Sequence, residues 1–238
     1  MKDYFLWLRS LFSWLGWKAI YKQFRYGVRR PFSRNLIERY APTGTGLEVG
    51  AGHRSIAPLS RTILSDAHKT HAGQASIVTE FFRADRIPYP DATFSFLLSE
   101  HTLEHCANPL KVLREWIRVI KPGGILFLFL PNKDLTFDRQ RPRTPLEHVI
   151  EDETKNVSDD DRTHFGEWKS LVIDPGFAPH YQNLSEDEWS EQAAIHHHVW
   201  IAKDVVDMLK HLGMRVLMSD DFVPDRNDSF VVVARRPL

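Results

Sequence analysis

A single cysteine, Cys106, stands among 238 residues. It excludes an internal disulfide and any zinc cluster built on thiolates, and it agrees with a reducing compartment. Net charge is also missing, since 31 Lys and Arg residues face 31 Asp and Glu residues. No global field therefore draws the chain to nucleic acid. No apolar run reaches the ~20 residues that span a bilayer, because Arg9, Ser10 and Ser13 interrupt the one candidate. A signal peptide is a poor reading too, since no clean apolar core leads to a small-residue cleavage site. Internal repeats and low-complexity tracts are absent. What remains is an ordinary globular composition, 42% hydrophobic and 26% charged, in a chain long enough to bury one large core.

The charge balance fails only at the start. Residues 1–30 carry Lys2, Arg9, Lys18, Lys22, Arg25, Arg29 and Arg30 against Asp3 alone, with Trp7, Trp14 and Trp17 interspersed. Apolar residues at positions 4, 5, 8, 11, 12 and 15 share one helical face, so residues 1–40 read as a basic, aromatic helical segment. Two roles stand open for it. The face packs on its own domain or over a ligand pocket, or it makes a peripheral contact at the inner face of a membrane. The rest of the chain reads as cytoplasmic.

Beyond Pro42-Thr43-Gly44 the chain takes on a strand–helix rhythm. Strands are expected at 47–49, 63–65, 77–82 and 94–99, and a helix at 108–119. Pro122-Gly123-Gly124 stops that helix, and Ile125 to Leu130 is a continuously apolar strand of the kind buried on both faces of a parallel sheet. Residues 133–198 break the rhythm, being polar and rich in Asp, Glu and His. Order resumes with a helix at 203–212 and strands at 215–218 and 230–234. The expected fold is α/β, a doubly wound, Rossmann-like, mostly parallel seven-stranded sheet with a His-rich insertion after strand five. Its parts are a core over 41–132, the insertion or cap over 133–198, and a C-terminal helix with two strands over 199–238.

Ligands of open α/β sheets sit at the carboxyl ends of the strands, so those ends carry the functional reading. Strand one ends in Glu48-Val49-Gly50-Ala51-Gly52, where glycines allow a close backbone approach and a sharp turn into a helix. The third glycine of a dinucleotide fingerprint is replaced by Ser55, and no phosphate-loop lysine follows. Asp66 ends strand two, where an acid accepts from both hydroxyls of a ribose. Asp85 follows strand three, where an acid accepts from an adenine amine. Each is commonplace alone; their succession along one sheet is the signal.

The stretch 46–52, Gly-Leu-Glu-Val-Gly-Ala-Gly, resembles motif I of class I S-adenosylmethionine (SAM)-dependent methyltransferases. Residues 84–94 resemble that family's adenine-side loop. Leu103-Glu104-His105 with Asn108-Pro109 is similar to the helix start after its fourth strand, and Lys121-Pro122-Gly123-Gly124 to its turn before the fifth. The resemblance covers about residues 46–131 and implies SAM as cofactor. It further implies that Gly50 and Gly52 meet the methionine and ribose portions, that Glu48 organises the loop, and that Ser99 lies near the sulfonium. Ser95 departs from the family's usual aspartate.

The acceptor side turns on twelve histidines, six of them in the insertion. His101 and His105 follow strand four and, with His148, are the candidate bases for a hydroxyl acceptor. Alternatively His101, Glu104 and His105 hold a divalent metal, similar to the Glu-x-x-Glu-His site of ubiquinone-pathway and small-RNA end methyltransferases. Here His101 replaces the first acid, Glu100 lies one position off, and a fourth ligand would come from His148, His164 or His198. If 196–198 is extended, His196 and His198 share one face and His197 the other. Arg139, Arg141 and Arg143 would bind an acceptor anion or form an exposed basic loop, and Trp168, Trp189 and Trp200 would stack on sugar faces or fill a core. These features suggest O-methylation of a polar hydroxylated acceptor, such as a sugar of a cell-surface glycan. A quinone-like or other small-molecule acceptor and a non-catalytic binding module are the alternatives. RNA is disfavoured because residues beyond 30 are net acidic and offer no aromatic–basic platform.

Overall fold

The computed structural model describes residues 30–71, 74–191 and 194–238. Residues 1–29 of the basic aromatic segment therefore lie outside the described residues, and its described end runs from Arg30 to Tyr40. Helix α1 (Pro31–Tyr40) leads into β1 (Gly46–Val49), β2 (Thr62–Asp66), the two-residue edge strand β3 (Glu80–Phe81) and β4 (Phe94–Glu100). Helix α2 (Pro109–Val119) and β5 (Ile120–Pro131) follow, then α3 (Leu146–Lys155), α4 (Phe165–Trp168) and α5 (Glu186–Glu191) of the insertion. Helix α6 (Ala202–His211), β6 (Arg215–Asp220) and β7 (Ser229–Arg235) close the chain. The sheet has seven strands in the order β3-β2-β1-β4-β5-β7-β6. Strand β7 runs antiparallel to both its neighbours, and the other pairings are parallel. This is the expected doubly wound sheet, and its order reverses between β1 and β4.

Period-two alternation explains how a wholly apolar strand is used. In β5, Leu126, Leu128 and Leu130 face a core shared with Leu110, Leu113 and Trp116 of α2 and with Val205 and Leu209 of α6. Ile125, Phe127 and Phe129 face the opposite core, with Leu36 and Ile37 of α1. All six are 4% exposed or less, and burial of each such side chain contributes about 1.5–3 kcal/mol. Helix α2 starts where Asn108 accepts the Lys111 amide (3.1 Å) with Pro109 just inside.

One expectation needs correction. The glycine turn after β1 does not enter a helix, and residues 50–61 form turns. Ser55 donates to Glu48 and accepts the Ala57 amide, and Pro58 has no amide to give, so local side-chain bonds outcompete helical ones. Ile56 and Ala57 then complete the core beneath α1. The insertion, whose sequence shows little periodicity, is ordered in the structure. Phe165, Trp168, Val172, Ile173, Trp189 and Ile195 give it a core of its own.

Arg141 anchors that insertion. It is 2% exposed, and its guanidinium donates to Asp138 (3.0 Å), Glu167 (2.6 Å) and the carbonyls of His196 (2.7 Å) and His197 (3.3 Å). It is unavailable to an acceptor. Nor do its neighbours reach the cavity described below, since Arg139 lies over the Phe177 ring and Arg143 approaches Asp204. Breaking a buried charge network is costly. Arg141→Met should lower the unfolding free energy by roughly 3 kcal/mol in urea denaturation; a change within error would remove Arg141 from this role.

Candidate active site

A cavity of about 670 Å³ opens at the carboxyl ends of β1, β2 and β4. Gly50 lies at its base with φ +78°, and a side-chain carbon there would fall 2.0 Å from Thr102 Oγ1. Gly52, at φ +54°, has open space where a side chain would be. Both positions need glycine, one for a close approach and both for their backbone angle. The Gly52 amide donates to Asp66 Oδ2 (2.9 Å), and the His68 amide donates to Asp66 Oδ1 (2.8 Å). Each Asp66 oxygen keeps lone-pair capacity at the cavity wall.

Asp85 lines the same wall between Arg83 (2.9 Å) and Lys111 (3.4 Å). Burial pushes its carboxyl up, but the two cations outweigh burial and hold it below the usual range. The loop before it is tied to α2, where the Trp116 indole donates to the Ala84 carbonyl (3.0 Å). Glu48 also reaches the cavity, almost wholly buried. Burial lifts it to about 8, and the Ser55 hydroxyl opposes that shift only in part.

The opposite wall is built from β4, the turn after it and the far end of the insertion. Glu100 ends β4 and pairs with Arg30 and with Arg226 (3.0 Å). Arg226 also donates to His101 Nδ1 (3.1 Å), so the His101 proton sits on Nε2 and goes to Ser229 Oγ (2.7 Å). Burial first and Arg226 second hold His101 well below its ordinary value. The His105 Nδ1 proton goes to the Ile195 carbonyl (2.9 Å), which puts the lone pair on Nε2, 3.9 Å from Glu104 Oε1. Glu104 is 1% exposed, neither of its oxygens has a hydrogen bond, and burial lifts it to about 7. His197 completes the wall; burial and the nearby His164 hold it down at about 4, so its ring is neutral near pH 7.

Behind this wall Glu104, His105 and His196 bring one ligand atom each within 4.8 Å of one another. His196 Nδ1 meets Asp138 Oδ2 at 2.6 Å. Burial pushes the His196 ring down, and the Asp138 carboxylate outweighs it and lifts the ring above its ordinary value. Both rings thus have one nitrogen fixed by a carbonyl or a carboxylate, the arrangement that orients imidazoles toward a cation.

Residues 47–128 match the family model described as a methyltransferase domain. That segment is similar to methyltransferase domains. A ubiquinone/menaquinone biosynthesis C-methyltransferase of Desulfotalea psychrophila is 35% identical over 89 residues, 34% of this chain and 36% of that protein. The chain spans half or less of the length of the first curated relatives it matches. Among solved structures, an S-adenosylmethionine-dependent methyltransferase from Mesorhizobium loti aligns with a TM-score of 0.53 at 12% identity, over 85% of this chain and 96% of that one. The 1,6-didemethyltoxoflavin-N1-methyltransferase of Burkholderia thailandensis, solved with its acceptor and S-adenosylhomocysteine, gives 0.52 at 10% identity, over 87% and 77%. The fold is that of class I, Rossmann-like methyltransferases. One named relative is a carbon and the other a nitrogen methyltransferase, so likeness alone selects no acceptor atom.

Within residues 47–128, Glu48, Gly50, Gly52, Asp66 and Asp85 all line the cavity, together with His101 and His105. Ser99 does not. It is fully buried and donates to the Val49 carbonyl (3.0 Å); the strand runs one residue further, and Glu100 meets the cavity. His148 also lies away from the cavity, on α3 beside His164. In the cation cluster His196 stands where the sequence suggested His101, whose nitrogens are engaged by Arg226 and Ser229. Trp168, Trp189 and Trp200 are buried, so none of them offers a face to a sugar. Residues missed by sequence reasoning are Thr102, His197, Arg226 and Asp159, whose shared signal is only tertiary. Among the described residues no helix is long and apolar enough to cross a membrane.

Glu48 yields a prediction with a definite sign. Its carboxyl titrates near 8 in the folded chain and near 4.5 when unfolded. Between those values the folded state keeps a proton that the unfolded state has lost, so stability falls as pH rises and levels off above about 8. Glu48→Gln should flatten this fall, by at most about 1.4 kcal/mol per pH unit. Urea denaturation across that window checks it, and equal slopes in the two proteins would contradict the burial argument.

Proposed function

We propose that this chain transfers a methyl group from SAM to a hydroxyl of a polar acceptor, a sugar being the leading example. The observation that carries this reading is the cavity itself: a glycine- and acid-lined half faces a half walled by His105, His197 and the Glu100–Arg226 pair. The first half suits a nucleoside with a charged tail. The second is polar rather than apolar, which favours a hydroxylated acceptor over a quinone-like lipid.

In this reading Asp66 receives the ribose hydroxyls and Asp85 the adenine amine, while Gly50 and Gly52 let the methionine portion lie against the backbone. The acceptor oxygen attacks the methyl carbon in line; the C–O bond forms as the C–S bond breaks, and the bonding pair returns to sulfur. Such a displacement needs positioning above all. His105 Nε2 takes the hydroxyl proton, and Glu104 beside it stabilises the imidazolium. The buried Glu104 oxygens, with His105 and His196 held by Ile195 and Asp138, also fit a divalent cation. Bound there, such an ion would orient two acceptor oxygens and lower a hydroxyl pKa. The retained carboxylates of Asp66 and Asp85 weigh against a purely non-catalytic module.

Calorimetric titration with SAM and with S-adenosylhomocysteine, repeated after chelation, tests the cofactor half. Asp66→Ala should weaken SAM at least about tenfold, and undiminished affinity would sink the ribose assignment. His105→Ala should keep SAM affinity but lose about 10²–10⁴ in turnover on a hydroxylated acceptor. Transfer to quinols and not to sugars would overturn the acceptor class.

A further inference from the structure

The insertion holds a second group of histidines that the cavity does not use. His148 lies on α3, His164 immediately precedes α4, and His198 follows α5, so three separate segments converge. One nitrogen from each ring lies within 4.8 Å of the others. His148 Nε2 and His164 Nε2 are 3.1 Å apart. Two imidazoles on a tetrahedral zinc ion, with Zn–N bonds of about 2.0–2.1 Å, hold their nitrogens about 3.3 Å apart. The spacing of this pair, which is also that of an N–H···N hydrogen bond, is close to the one two zinc-bound imidazoles would take.

Two further polar atoms of this group are buried without a hydrogen bond. His198 is 1% exposed; its Nε2 approaches the Ala107 carbonyl (3.3 Å), which leaves the lone pair on Nδ1, buried and with no hydrogen bond. Asp152 Oδ2 is likewise buried without a hydrogen bond, 3.4 Å from His148 Nε2 and 3.6 Å from His198 Nε2. Asp152 follows His148 by one helical turn, so both project from one face of α3. Orphaned buried polar atoms are rare in folded proteins because each is costly, and a cation held by the three rings would lie beside the Asp152 carboxylate.

We infer that His148, His164 and His198, with the Asp152 carboxylate beside them, form a structural zinc site separate from the methyl-transfer cavity. Imidazole and carboxylate donors suit zinc, and four protein donors around one ion would make the site of the structural kind, apart from the cavity, whose lining includes none of the four residues. Its role is to clamp α3 and the turn at His164 onto the segment carrying His196 and His197.

The test uses the full chain, stripped by chelation and reloaded with Zn²⁺, with metal per chain and melting temperature as readouts. His148→Gln and His164→Gln should each hold one zinc ion fewer per chain than the parent and lose a zinc-induced rise in melting temperature. His105→Gln, which touches only the cavity cluster, should retain that ion and that rise. Equal zinc content and an equal thermal response in the parent, His148→Gln and His164→Gln would overturn the site and leave a hydrogen-bonded polar cluster. Should the glutamine variants not fold, Co²⁺ loaded into His105→Gln decides the matter. A tetrahedral visible spectrum supports the site, and its absence overturns it.

Discussion

The position of the histidine-bearing wall of the cavity depends on one buried guanidinium. Arg141 holds the carbonyls of His196 and His197 together with the Asp138 carboxylate, and Asp138 in turn fixes the His196 ring. A buried ion pair contributes little net stability compared with well-packed apolar residues, since desolvation offsets most of the attraction. What this one contributes is geometry, because a rigid five-donor fork leaves the 196–198 backbone a single register. Consecutive side chains are then dealt to three places. His196 goes to the Glu104 cluster, His197 to the cavity and His198 to the His148–His164 cluster.

The electrostatics of the cavity follow from the same burial. Glu48 and Glu104 are lifted toward neutrality, while His101 and His197 are pushed down, so four titratable groups in or beside the cavity favour their uncharged forms. Charge is retained where a partner offsets desolvation, at Asp85 between Arg83 and Lys111 and at Asp138 between Arg141 and His196. A site of this kind is poised to respond to a cationic ligand, whose approach would favour the ionised form of Glu48. The Glu48–Ser55 bond also ties the turn after β1 back to the strand that precedes it.

Legibility in the sequence tracks how local each determinant is. The apolar run of β5, the glycine pair after β1 and the acids ending β2 and following β3 are set by neighbours along the chain, and they stand in the structure at the expected strand ends. Ser99 shows the limit of that reading. Strand side chains alternate, so an error of one residue in where β4 ends exchanges the wall residue Glu100 for a hydroxyl on the other face. The histidines were harder still. His101 meets Ser229, His105 meets Ile195 and His196 meets Asp138, across separations of 128, 90 and 58 residues, and no periodicity reports such pairs. Arg141 is buried rather than an acceptor ligand or part of an exposed basic loop, and the three tryptophans take the core role, one of the two the sequence left open to them.

The distribution of unsatisfied atoms ties these observations together. Among the described residues, buried side-chain atoms without hydrogen bonds are both Glu104 oxygens, Asp152 Oδ2, His197 Nδ1, His198 Nδ1 and the Trp168 indole nitrogen. A poorly matched core would scatter such atoms across the molecule, because any buried polar group is equally exposed to misfit. Here every one except the indole falls at the cavity wall or at one of the two histidine clusters. The neighbouring polar groups, Asn108, Asp138, Arg141 and Thr144, have their bonds made. Satisfaction of the frame together with deficiency at three defined points is the pattern of binding sites, since ligands supply there the partners that the fold withholds.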